Sequence, residues 1–311
     1  MVQCFSGAFG NLIFEDGDPK GAPVRRDVAG FFATIKERVA AGCTSAINEE
    51  DYHDFTSYFF AALTGRDRLG RRVSRADYNE DGRIGMDEAY CYTLSHDESI
   101  DIPVCTSDVF LRRFVPAKDV EVFQTPYSNV LGWASPAQRA ALEGLSSKLH
   151  RSGENRLGRA YDEMMAGGGS DGRNSWMADY QAATRRFRTL RSEGRQVILR
   201  RWPELRRAGS LEYSAAQKEA AVQMTQEVSE GKWKDLMNAN DAVDKASLSG
   251  EARENASSQI IRFVRLGKSV VLAHRLKEDG DAELKARFAR LVQAEGRSLL
   301  TPSDQLTRLA N

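Results

Sequence analysis

Residues 77 to 88 read Asp-Tyr-Asn-Glu-Asp-Gly-Arg-Ile-Gly-Met-Asp-Glu. Oxygen-bearing side chains at the first, third, fifth and twelfth places of a twelve-residue segment are the donors that wrap a calcium ion. Asp77, Asn79 and Asp81 would supply side-chain oxygens and Arg83 its backbone carbonyl. Gly85 leaves room for a water, and Glu88 would bind through both carboxylate oxygens. Gly82 stands where the loop needs a left-handed turn, and Ile84 is the apolar plug two residues on. The bland alternative is a metal-free turn rich in Asp and Asn leading into a helix. Arg66 to Ala76, full of arginine and glycine, makes a poor incoming helix, and only one such loop is visible. Bound calcium would therefore staple a loop rather than drive a sensor-like opening.

A second candidate is a thiol. Val2–Phe5 is a short apolar run that carries Cys4 and is followed by the small residues Ser6 and Gly7. In open α/β sheets working groups sit outside the carboxyl ends of strands, and a thiol there is a nucleophile only when a base or dipole holds it as thiolate. Cys43, Cys91 and Cys105 read as buried free thiols, since no pair has CxxC spacing. Of the four histidines, His53 opens a predicted helix and reads as a surface residue. His96 and His150 read as exposed helix-end residues, and His274 lies in the helical region.

The elements that must position these groups fall into two regions. Val2–Phe5 and Val28–Ile35 read as buried strands, and 16–23, with two glycines and two prolines, as a loop. Phe55, Phe59, Ala62 and Leu63 recur at helical spacing, predicting a helix over 50–64 stopped by Gly65. Further helices are predicted at 86–96 and 107–114. The pattern predicts part of an α/β domain with a parallel sheet over residues 1–118. Beyond it, Ser135-Pro-Ala-Gln138 is a capped helix start, glycines break the chain at 165–172, and helices are predicted at 174–207, 211–246, 251–278 and 281–298. Residues 119–311 therefore read as an all-α bundle or coiled-coil region.

The order Gln3-Cys4-Phe5-Ser6-Gly7-Ala8-Phe9 resembles the nucleophile motif of the bacterial caspase-like and legumain-like cysteine peptidases. Gly42-Cys43-Thr44-Ser45-Ala46 looks like the next strand end of that fold, and Phe55–Gly65 like its following helix. Asp77–Glu88 with Ala89-Tyr90 is similar to the acidic, EF-hand-type loop common in bacterial members. The resemblance covers about residues 1–115 and implies a parallel sheet flanked by helices, with Cys4 as the nucleophile of a Cys–His dyad. The dyad imidazole of that family belongs to a His-Gly pair. The histidines here are followed by Asp, Asp, Arg and Arg, so no catalytic histidine is carried over. The resemblance thus implies that the His-Gly half lies upstream of Met1 or on another chain, and that this chain alone is inactive.

The 311 residues balance 44 basic against 44 acidic side chains, so no global field argues for nucleic acid or membrane. Residues 185–207 hold nine arginines against two glutamates. This reads as a solvated bundle face with a role in self-association or docking, rather than a phosphate-tracking one. No apolar run approaches the roughly 18 residues of a membrane span, and no signal peptide is visible. The expectation is a cytoplasmic protein, or a secreted or periplasmic one if a leader was lost upstream. Two functions are expected: a caspase-like cysteine endopeptidase portion acting on peptide or protein substrates, or a non-catalytic calcium-binding protein whose helices engage a partner. Ca2+ is the cofactor in either.

Overall fold

The computed structural model of the chain describes residues 2–25, 28–41, 53–167, 170–207, 209 and 211–299. Contacts divide it into two units, 1–168 with 254–311, and 169–253.

In the first unit, helices begin and end where local chemistry dictates. Helix α1 (Phe55–Thr64) starts because Asp54 Oδ1 accepts the Ser57 N–H at 2.7 Å, and it stops at Gly65, which takes φ +72°. Helix α2 (Met86–His96) opens on two acidic residues, which suit the positive end of the helix dipole. Helix α3 (Thr106–Phe114) is followed by two short helices, α4 (Asp119–Phe123) and α5 (Tyr127–Trp133). Helix α6 (Pro136–Lys148) carries the predicted capping box. Ser135 Oγ accepts from the Gln138 N–H at 3.3 Å, and Gln138 Oε1 accepts from the Ser135 N–H at 3.1 Å.

Helix α7 (Arg156–Gly167) comes next. The unit is completed by the C-terminal part of α10 (Lys234–Asp279), from Glu254 onward, and by α11 (Ala282–Glu295). Asp281 caps α11, its Oδ1 accepting from the Glu283 and Leu284 N–H groups. Helix α2 lies against α1 and α6, and one hydrophobic core joins Phe59, Ala89, Leu142, Phe263 and Leu272. That core takes residues from both sides of residue 118, including Leu111 and Val122.

The expected parallel sheet is not present among the described residues, and the fold is not a caspase-like half-domain. Among the described residues the only strands are β1 (Phe31–Phe32) and β2 (Val104–Cys105). They pair antiparallel, Phe31 opposite Cys105 and Phe32 opposite Val104, in a chain that is otherwise mostly helical. Val2–Phe5 does not extend as a strand because Phe5 turns left-handed at φ +59° and Ser6–Ile13 winds into a 3-10 helix. The small residues that suggested a strand end serve close packing instead. The Gly7 N–H donates to the Thr34 carbonyl at 2.8 Å, and a Cβ on Gly7 would lie 2.7 Å from that oxygen. The Thr34 N–H donates to Ser6 Oγ at 3.3 Å. Single cross-links of this kind stand where a ladder was expected.

The second unit comprises α8 (Ser170–Arg201), a 3-10 turn at Pro203–Arg206, α9 (Leu211–Ser229) and the N-terminal part of α10. Its core is small: Trp202, Ala216 and Ala220, with Ile198, Leu205 and Met224 at its margin. Glu227 ties it together, accepting from Arg201 at 2.6 Å and from the Trp233 indole N–H at 2.9 Å. All nine arginines between 185 and 207 are exposed. Among the described residues no helix is long and apolar enough to cross a membrane.

Candidate functional site

The segment ahead of the acidic loop is a tight turn, as its composition predicts. Asp67 Oδ1 accepts from the Leu69 and Arg71 N–H groups, Gly70 takes φ +78°, and no helix forms between 66 and 76. The chain then enters the loop at Asp77, a buried residue whose carboxylate is paired with the Arg75 guanidinium.

Within the loop the side-chain oxygens collect backbone donors. Asp77 Oδ1 accepts from the Asp81 N–H at 3.1 Å and Oδ2 from the Gly82 N–H at 3.1 Å. Asn79 Oδ1 accepts from the Asp81 N–H at 2.9 Å, and Asp81 Oδ1 from the Arg83 N–H at 2.8 Å. Gly82 takes φ +84°, the conformation predicted for it, and Ile84 packs against the core.

Glu88 closes the loop. It is 3 % exposed in the first turn of α2. Its Oε1 accepts from the Tyr78 and Asn79 N–H groups at 2.7 and 3.1 Å, and its Oε2 from the Gly85 N–H at 2.9 Å. One carboxylate therefore joins the beginning of the loop to its end. Burial pushes the pKa of Glu88 above the ordinary carboxylate range, and the three N–H donors oppose that shift. Asp87 is likewise raised, chiefly by burial. The loop's exit is seated on the end of α11, where the Met86 N–H donates to the Arg297 carbonyl at 3.2 Å.

The donor set suits a hard divalent cation: carboxylates of Asp77, Asp81 and Glu88, the Asn79 carboxamide, and the Arg83 carbonyl. Among the described residues, no group of three or more His, Cys, Asp and Glu side chains lies close enough together to hold a metal. The oxygens share one turn, but Glu88 is engaged by backbone N–H groups. Calcium through both Glu88 oxygens requires Oε1 to exchange the Tyr78 and Asn79 N–H groups for the ion.

The other sequence candidates lie elsewhere. Cys4 is half-buried in the turn before the 3-10 helix, next to Phe5, whose N–H donates to the Arg38 carbonyl at 2.8 Å. Cys43 lies outside the described residues. Cys91 and Cys105 are buried, and burial pushes both thiols well above their ordinary range. Three of the histidines have partners of their own. His53 bonds the Tyr58 hydroxyl, His96 stacks on Tyr92 with ring centroids 3.8 Å apart, and His274 stacks on Trp133.

No protein-family model matches the chain, and neither does any curated protein or solved structure.

Sequence reasoning missed a cluster of buried charge. Arg262 on α10 is 1 % exposed and donates from Nε to the Asp101 carbonyl and from its two terminal nitrogens to the Asp97 and Ser99 carbonyls. The Asp97 carboxylate lies 3.3 Å away. Asp101 in turn accepts from the Ala41 N–H at 2.7 Å and the Phe55 N–H at 3.0 Å. Burial and the Asp97 charge push Asp101 up to about 7, against those two N–H bonds and Arg262. The available signal was an arginine inside the apolar stretch Ile260–Val264 and the Asp-x-Ser-x-Asp spacing of 97–101.

Proposed function

We propose that this chain is a non-catalytic calcium-binding protein in which the ion staples the 77–88 loop and the helices engage a protein partner. One observation carries the reading. Glu88 already spans the loop from Tyr78 to Gly85, drawing the oxygens of Asp77, Asn79 and Asp81 into a single turn. Calcium would supply the divalent positive charge that these oxygens lack. Asp77, Asn79, Asp81 and Glu88 would hold it with the Arg83 carbonyl, while Gly82 keeps the turn open. Asp77 now faces a cation from its own chain, Arg75, so the ion must compete with that guanidinium. Cys4 takes no part in this reading.

Calorimetric titration of the full chain with calcium tests it. Wild type is expected to give saturable heat, and Glu88→Gln to lose it. Arg75→Gln is expected to bind roughly two- to fivefold more tightly, because the competing guanidinium is itself exposed to solvent and holds Asp77 by about 1 kcal/mol or less. No heat from any of the three removes calcium from the account.

A further inference from the structure

Two arginines share one buried carboxylate where α3 meets α10. Asp108 is 5 % exposed. Its Oδ2 accepts from Arg265 at 2.7 Å, both oxygens accept from Arg112 Nε at 3.1 Å, and the Ser269 hydroxyl donates to Oδ1. Burial alone would raise this carboxyl, but Arg112 and Arg265 outweigh it and hold Asp108 well below the ordinary carboxylate range. The ionised carboxylate cancels one of the two positive charges. Arg265 Nε is buried and has no hydrogen-bond partner in the protein. Charged donors left in this state are costly, so native proteins place an acceptor near them.

Both guanidiniums line a cavity of about 330 Å³, together with Arg113 and Lys36. Against these four cations stands one lining acid, Glu37, which is spent on Lys36 at 3.7 Å. Apart from Asn11 the remaining wall is apolar, with Phe14, Ile35 and Val109. The volume lies at the lower end of the range for small-molecule sites. Excess positive charge beside an apolar wall is the complement of an amphipathic anion.

We propose that this cavity binds a small organic anion, a carboxylate or phosphate monoester carried on an apolar group, with its head group on Arg113 and Arg265 and its apolar part against Phe14 and Val109. Nothing in this depends on calcium.

The probes are benzoate, phenyl phosphate, inorganic phosphate and the neutral benzamide, titrated calorimetrically into the full chain. At least one of the two aromatic anions is expected to bind at one site per chain. Benzamide and inorganic phosphate are each expected to bind at least about tenfold more weakly. Binding of benzoate alone assigns a carboxylate head group, and binding of phenyl phosphate alone a phosphate. Arg265 variants break the Asp108 clamp and can fail to fold, so the test stands on Arg113→Gln and Lys36→Gln, which leave the clamp intact. Arg113→Gln is expected to weaken binding about tenfold and Lys36→Gln by less. The inference is overturned if neither aromatic anion gives heat up to about 10 mM. Benzamide binding as tightly as benzoate overturns it too, as does unchanged affinity in both variants.

Discussion

Two acidic segments lie on either side of α2, and they solve the same electrostatic problem differently. Residues 97–101 carry Asp97 and Asp101 and receive their cation from within the chain, because Arg262 reaches them from far along the sequence. Residues 77–88 carry Asp77, Glu80, Asp81, Asp87 and Glu88, and the exposed Arg75 pairs with Asp77 among them. In the first segment Asp97 and Asp101 are buried and receive their positive charge from inside the fold. The second answers its oxygens with backbone N–H groups and keeps Asn79 and Asp81 toward solvent. An acidic cluster is thus a ligand site only where the fold leaves the counter-charge to be found outside.

The sharpest way to break this comparison is to remove the internal cation. Arg262→Met leaves Asp97 buried without its partner and strips three carbonyls of their donors. Truncating one member of a buried ion pair costs about 3–5 kcal/mol. Urea unfolding of the variant is expected to show a loss of that order. A midpoint matching wild type would mean that the 97–101 segment does not need its arginine.

Supplying the external cation is the complementary test. Calcium at about one hundred times its Kd is expected to stabilise the chain by about 2.7 kcal/mol, since only the folded loop binds. Glu88→Gln is expected to abolish the gain, and an equal gain in both proteins would place the ion elsewhere. The internal segment is expected to respond to pH instead. Asp101 sits near 7 when folded, above its ordinary value of 3.8. Its contribution to stability is therefore complete below about pH 4 and lost as pH rises through about 7, at up to about 1.4 kcal/mol per pH unit. Urea midpoints measured from pH 4 to 8 are expected to fall along that course in wild type. Asp101→Asn is expected to flatten the fall, and parallel curves would assign the pH dependence to other groups.

What the sequence disclosed follows the same division. The left-handed turn at Gly82, the helix at 86–96 and the capping box at Ser135 and Gln138 depend on residues within a dozen positions of one another, and all were legible. The N-terminal run was not. Four apolar residues at Val2–Phe5 fit a strand as well as a turn, and the decision lay with Gly7 packing on Thr34 and with Phe5 turning left-handed. The parallel sheet followed from that misreading and from a resemblance carried by short motifs. The Arg262 cage and the Arg265 arm of the Asp108 clamp were hidden because their partners lie more than 150 residues apart. Helical periodicity places an arginine on a face but does not say which carbonyls will meet it.

Gly82 offers the finest test of whether the external site is as preformed as the internal one. Its φ of +84° is unfavourable for any residue with a Cβ, yet a Cβ there would meet nothing within 4 Å. Gly82→Ala therefore changes backbone preference and no packing. The left-handed conformation costs about 1–2 kcal/mol, and the stiffer unfolded chain returns about 0.4–1 kcal/mol of it. Without calcium the variant is expected to lose about 1 kcal/mol in urea unfolding, because the Gly82 N–H bond to Asp77 at 3.1 Å already holds the turn. With calcium the loss is expected to be at least as large, since the ion selects the same turn. If alanine is neutral without calcium and costly only with it, the turn is made by the ion. The 77–88 segment would then differ from 97–101 in its fold as well as in its counter-charge.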